Sequence, residues 1–262
     1  MLAPRTAAGR EGLAALLAEP RHALVALDYD GTLAPIVPRP EDAVPADGAV
    51  EALTRLARLV PVALVTGRPA DVVVALGGLA QVPGLVVLGQ YGVQRWEAGR
   101  LTQEPPAPGL ARARAQLSLL VVEPGVAVED KGLSLVVHTR QADDPVGALA
   151  RLHRPVAEVA ARTGLELHSG RLVLELRPVG HAKGRALAGL AERRSAVLFA
   201  GDDLGDLAAY DAVDRLRDRG TPGLLVCSDS EETPDELRSR ADLVVEGPPA
   251  VVGLLTELAA DL

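Results

Sequence analysis

Short, fully apolar runs alternate along the first hundred residues with stretches whose apolar positions recur at helical spacing. That alternation predicts a parallel sheet covered by helices on both faces. Residues 23–27 (ALVAL), 62–66 and 85–88 read as buried strands. Residues 10–19, residues 47–59 and a segment starting at Pro69 read as helices, with Asp47 as a candidate N-cap. The pattern changes at the proline-rich residues 105–108, which read as a linker. Beyond it a helix (110–122) precedes two strands (126–129 and 133–139), and a longer helix (146–163) precedes two more (165–168 and 171–177). Leu133, Leu135 and Val137 alternate with Ser134, Val136 and His138, as in a half-exposed antiparallel sheet. After Gly180 the first pattern returns, with helices at 181–193, 206–219 and 249–262 and strands at 196–200, 224–227 and 243–245. The expected architecture is an α/β core of residues 1–104 and 179–262, split by an inserted α+β domain of residues 105–178.

Composition narrows the function. The net charge of −8 argues against nucleic acid and anionic membranes as partners. Five aromatics (Tyr29, Tyr91, Trp96, Phe199, Tyr210) are too few for base-stacking platforms, so the core must be aliphatic. The single cysteine, Cys227, allows no internal disulfide, and no targeting or membrane-spanning segment is evident. A soluble, cytoplasmic monomer is the expectation. Only Lys131 and Lys183 are lysines; the other basic residues are arginines, so these two compact charges invite inspection.

The chemistry-bearing residues gather at predicted strand ends, where open α/β sheets hold their ligands. Asp28-Tyr29-Asp30-Gly31-Thr32 follows the first strand. Residues two apart on an extended chain face the same way, so Asp28 and Asp30 can share a site, while Gly31 permits a sharp turn. Two adjacent carboxylates stay ionised only beside a cation; otherwise one takes a proton. One can then attack phosphorus while its neighbour protonates the leaving oxygen. A second acidic cluster, Asp202-Asp203 with Asp206, follows the strand at 196–200. It exceeds what an acidic helix cap needs and suits a hard cation such as Mg²⁺. Thr66-Gly67-Arg68 precedes a helix, as a simple cap or an anion site would. Lys183, at a helix start, can add a point charge for a phosphate. Together these elements specify phosphoryl transfer.

At these residues the sequence resembles the haloacid dehalogenase-like phosphatases, and more finely the trehalose-6-phosphate phosphatases. The resemblance rests on DYDGTLAPI, VTGRP, VEDKGLSLVVHTR, LVLELRPVGHAKGRAL and AGDDLGD, and spans about residues 20–250. It implies a Rossmann-like core with a C2-type cap inserted between Thr66 and Lys183, a sugar phosphate as substrate and Mg²⁺ as cofactor. Asp28 would be nucleophile and metal ligand. Asp30 would be general acid and base, with its backbone carbonyl on the metal. Thr66 and Lys183 would hold the phosphoryl group. Asp202 would complete the metal site, and Asp203 and Asp206 would act through water or orient the other ligands. Arg68, Tyr91, Glu129, Lys131, Arg171 and Glu175 would contact substrate, the last four from the cap. By the residues alone, the cap four read equally as the polar face of a sheet. Tyr91 stands where the family usually has His, and Leu207 where a Glu is common.

Competing expectations are the same chemistry on sucrose 6-phosphate or a glucosylglycerate phosphate, a catalytically silent sugar-phosphate-binding regulator, and a mutase. Intact Asp28 and Asp30 argue against the regulator.

Overall fold

The computed structural model describes residues 3–170 and 172–262, which divide into two compact units, one ending at Thr102 and resuming at Ala182, the other spanning Gln103–His181.

The larger unit opens with α1 (Ala7–Ala18), three residues longer at its start than the apolar spacing predicts. The extension has a local cause: the Thr6 hydroxyl accepts the Gly9 N–H at 2.9 Å and caps the first turn. Strand β1 (Leu24–Leu27) follows, then α2 (Ala49–Leu56), β2 (Val62–Val65), α3 (Ala70–Leu76) and β3 (Val86–Gly89). Asp47 does not cap α2. Gly48 holds the N-cap position at φ 79°, a conformation costly for a residue with a Cβ, so the chain enters the helix one residue later.

Two strands that the pattern does not predict, β4 (Gln94–Glu97) and β5 (Arg100–Gln103), extend the sheet. β4 runs antiparallel to β3, and β5 is its neighbour on the sheet edge. Ala98 and Gly99 link them, both at positive φ, which is the backbone of a tight two-residue hairpin.

In the smaller unit α4 (Leu110–Leu120), β6 (Ala127–Asp130), β7 (Leu135–His138), α5 (Pro145–Thr163), β8 (Leu165–Gly170) and β9 (Val173–Pro178) form helices and an antiparallel sheet in the order β6-β7-β9-β8. Asp144 caps α5 by accepting the Gly147 N–H, and Gly164 ends it at φ 69°. Leu135, Val137, Leu174 and Leu176 join residues of α4 and α5 in one apolar core. The half-exposed alternation is weaker than expected, because Ser134 and Val136 on the other face are buried as well. Ser134 is not stranded there: its hydroxyl donates to Glu175 at 2.9 Å.

The chain then returns to the larger unit with α6 (Lys183–Ala191), β10 (Val197–Gly201), α7 (Leu207–Arg217), β11 (Gly223–Asp229), α8 (Asp235–Arg240), β12 (Leu243–Glu246) and α9 (Gly247–Asp261). Its sheet runs β12-β11-β10-β1-β2-β3-β4-β5 and is parallel from β12 to β3. Val25 and Leu27 of β1 enter one apolar cluster, Leu24 and Ala26 another. Both faces are therefore covered, which is why β1, β2 and β10 are apolar at every position. From β1 the chain moves to β2 on one side and later to β10 on the other. The C-terminal end of β1 is thus the switch point at which such sheets bind ligands.

Candidate active site

Asp28 sits one residue beyond β1, and its N–H donates to Ala200 of β10 at 2.9 Å. Lys183, the first residue of α6, reaches the same place. Its ammonium lies 2.6 Å from Asp28 Oδ2 and 2.8 Å from Asp206 Oδ1. Asp206 is completely buried, and its second oxygen accepts the N–H groups of Asp202 (2.9 Å) and Asp203 (3.1 Å). Asp206 therefore holds the turn after β10 and fixes the Lys183 ammonium.

The Asp202 carboxylate accepts the Thr32 hydroxyl at 3.3 Å and lies against Gly31. A Cβ at position 31 would fall 2.0 Å from Asp202 Oδ2, so glycine is required there by contact as well as by its φ of 69°. Ser228, at the end of β11, donates to the Gly31 carbonyl at 2.6 Å and braces the loop from below. Sequence reasoning missed Ser228, since a serine after a strand carries no distinctive spacing.

Charge is unbalanced here. Asp28, Asp202, Asp203 and Asp206 surround one ammonium. Burial pushes the Asp28 carboxyl well up, outweighing the pull of Lys183, with Asp206 and Asp203 adding to the rise. Burial, then the charges of Asp206 and Asp28, push Asp202 up to about 10. Burial also raises Asp206, to about 6, although Lys183 opposes it. Burial works against the Lys183 charge, but Asp206 and Asp28 hold its pKa well above the ordinary lysine value. One oxygen from each of Asp28, Asp203 and Asp206 lies within 4.8 Å of the others. An all-carboxylate donor set with surplus negative charge fits a hard divalent cation.

Asp30 is held differently. Arg68 grips it through two parallel hydrogen bonds, Nε to Oδ2 at 2.6 Å and Nη2 to Oδ1 at 2.7 Å, and also donates to the Pro40 carbonyl at 2.6 Å. The guanidinium lies 5.8 Å from the centre of the Tyr29 ring, whose hydroxyl donates to Ala43 at 2.7 Å. Arg68, expected to contact substrate, is thus engaged with the candidate general acid.

Thr66, one residue beyond β2, is buried, and its hydroxyl accepts the Arg68 N–H at 3.1 Å. Gln94 of β4 accepts the Ala70 N–H at 2.9 Å and caps α3, a role invisible while β4 itself is unforeseen. Tyr91 adopts φ 59° and follows Gln90 at φ 47°, two left-handed non-glycine residues that each cost of order 1–3 kcal/mol.

In the smaller unit, register places Glu129, Val136, Glu175 and His168 in one row across the sheet, so they share a face. On it Glu129 meets His138 at 2.8 Å, and Glu175 meets Ser134 at 2.9 Å and Lys131 at 3.7 Å. Arg177 donates to His168 Nδ1 at 2.6 Å, and His168 Nε2 lies 3.3 Å from Glu166. Burial and the Arg177 charge hold the His168 pKa below its usual value, consistent with a neutral ring that accepts at Nδ1. Arg171 lies outside the described residues.

Comparison with known proteins places this geometry. The structure superposes on a haloacid dehalogenase-like hydrolase from Bacteroides thetaiotaomicron with a TM-score of 0.66, at 15% identity over 91% of this chain and all of that one. It superposes on the C-terminal domain of a Candida albicans trehalose-6-phosphate phosphatase with a TM-score of 0.78, at 20% identity over 99% of this chain and 98% of that one. The fold is therefore haloacid dehalogenase-like, a mostly parallel core sheet with a separate small antiparallel sheet.

The sequence goes further: residues 26–243 match the profile of the trehalose-phosphatase family, and the chain belongs to that family. A trehalose-phosphate phosphatase of Mycobacterium avium is 38% identical over 97% of this chain. The chain spans less than two thirds of the curated relatives it matches, from 18% to 64% of their length.

Proposed function

We propose that this chain hydrolyses trehalose 6-phosphate to trehalose and inorganic phosphate, with Mg²⁺ as cofactor. The observation that carries the reading is the Asp28–Lys183–Asp206 bridge at the switch point of a sheet whose chain belongs to the trehalose-phosphatase family.

Asp28 attacks phosphorus, the bond from phosphorus to the sugar oxygen breaks, and its electron pair leaves with that oxygen, which takes a proton from Asp30. Water then gives a proton to Asp30 and attacks the phosphoryl group. The bond to Asp28 breaks, restoring the carboxylate and releasing phosphate. Arg68 occupies both Asp30 carboxylate oxygens, so the Arg68–Asp30 pair must loosen before Asp30 can reach the leaving oxygen. Thr66 and Lys183 bind the phosphoryl oxygens. Asp28, the Asp30 carbonyl and Asp202 would hold the metal, with Asp203 and Asp206 beside them. When bound, the ion offsets the charge that accumulates between Asp28 and the phosphoryl group.

The inserted domain expected at residues 105–178, which falls within the smaller unit Gln103–His181, acts as the cap that selects the sugar. Glu129, Lys131, Arg171 and Glu175 read the sugar hydroxyls; the shared face of Glu129 and Glu175 supports this. A cytoplasmic monomer is the working form. Each unit has its own apolar core, and the single thiol is buried, which supports that view. Among the described residues no helix is long and apolar enough to cross a membrane.

The test is phosphate release with Mg²⁺ from trehalose 6-phosphate, sucrose 6-phosphate and glucose 6-phosphate. Trehalose 6-phosphate is expected to react at least tenfold faster, with activity lost in EDTA. Equal rates on all three would remove the cap assignment, and no release from any would remove the enzyme.

A further inference from the structure

The turn joining β3 to β4 runs left-handed through three consecutive residues, Gln90 (φ 47°), Tyr91 (φ 59°) and Gly92 (φ 98°). Only the glycine takes that conformation readily, and such strain persists where the surroundings enforce it. Here they do. The Gln90 N–H donates to the Arg68 carbonyl at 2.9 Å, and the Tyr91 N–H donates to the Thr66 carbonyl at 3.0 Å. The turn is stitched to both ends of the Thr66–Gly67–Arg68 segment. In the middle, a Cβ on Gly67 would fall 2.7 Å from the Tyr91 hydroxyl oxygen and 2.9 Å from Cζ. Gly67 is not left-handed, so its backbone does not demand glycine. The phenol does.

We propose that Tyr91 is a positioning residue for the phosphoryl anchor: its ring lies on Gly67 and fixes the Thr66–Arg68 backbone in the shape that receives the phosphoryl group. This rests on the reading of Thr66 as a phosphoryl ligand. A tyrosine that merely touched sugar would need neither a bare Gly67 nor a turn tied to Thr66 and Arg68. The Gly67–Tyr91 pair is therefore one unit, in which each residue permits the other.

The experiment compares Tyr91→Ala, Tyr91→Phe, Gly67→Ala and the double variant Gly67→Ala/Tyr91→Ala with the unaltered chain. It reads hydrolysis of trehalose 6-phosphate, inhibition by inorganic phosphate, and the thermal midpoint. Tyr91→Ala is expected to lower kcat/KM by about tenfold to a hundredfold, the scale set by small misplacements of a binding group. It should weaken inhibition by inorganic phosphate, which has no sugar, by a similar factor. Tyr91→Phe keeps the ring and should lose less than about threefold. Gly67→Ala should be at least as damaging as Tyr91→Ala, yet the double variant should fall well short of the product of the two losses. If Tyr91→Ala does not fold, Tyr91→Leu replaces it. The inference is overturned if phosphate inhibition is unchanged while the KM for trehalose 6-phosphate rises, if the two losses multiply, or if Tyr91→Phe loses as much as Tyr91→Ala. An unaltered chain that releases no phosphate would overturn the proposed function instead.

Discussion

The two units arrange their charged side chains in opposite ways. At the end of β1, Asp28, Asp202, Asp203 and Asp206 crowd around the single ammonium of Lys183, and burial raises the pKa of three of those carboxyls. On the sheet of the smaller unit, Glu129 has His138, Glu175 has Ser134 and Lys131, and Glu166 has His168. A surplus of buried negative charge costs stability and is retained where a bound cation offsets it. Paired donors and acceptors cost little and exchange readily for hydroxyl groups of similar hydrogen-bonding strength. One region is suited to a metal and a reacting phosphoryl group, the other to a neutral, hydroxyl-rich body.

The strongest way to break that comparison is to remove the attacking oxygen. Asp28→Asn is expected to cost about 10⁴-fold or more in turnover, as loss of a nucleophile does, while the protein still folds. Retained phosphate release would end the assignment of Asp28.

Next is the single cation. Lys183→Met leaves the buried carboxylates of Asp28 and Asp206 without their partner, and breaking a buried pair costs about 3–5 kcal/mol. Turnover should fall about 10²-fold or more with it. A variant as stable as the parent in chemical denaturation would show that the bridge is not a stabilising element.

Metal and pH sharpen the contrast further. Asp202 and Asp206 have folded-state pKa values of about 10 and about 6, above the usual value of 3.8. At these two groups the folded protein binds more protons than the unfolded chain, so their contribution to the stability of the metal-free protein falls as pH rises above about 4. A divalent cation replaces those protons. Mg²⁺ at one fixed concentration, a hundredfold above its Kd at pH 8, should therefore raise the thermal midpoint by about 5–10 °C at pH 8 and by less at pH 5.5. An equal or larger shift at the lower pH would contradict the account.

Much of this was legible along the chain because buried parallel strands are apolar at every position, as β1, β2 and β10 are. The acidic residues that directly follow such strands stand out against them. What stayed hidden was set by tertiary contact. β4 is polar and short, with only a buried Trp96 and Gln94 to mark it, and its hairpin turns on Ala98-Gly99 instead of a stronger Asn-Gly signal. The six-residue α8 escaped for want of length, since one and a half turns show no periodicity. The Arg68–Asp30 grip and the Ser228 brace join residues 38 and 197 positions apart, and no spacing rule connects them.

The central claim is a division of labour, phosphoryl chemistry in the larger unit and sugar recognition in the smaller. Glu175→Gln tests it most directly, because Glu175 lies among the cap pairs and outside the carboxylate cluster. Its kcat/KM for trehalose 6-phosphate should fall by about tenfold, with inhibition by inorganic phosphate unchanged. Phosphate inhibition weakened to the same degree, or turnover of trehalose 6-phosphate left at the parent rate, would contradict it.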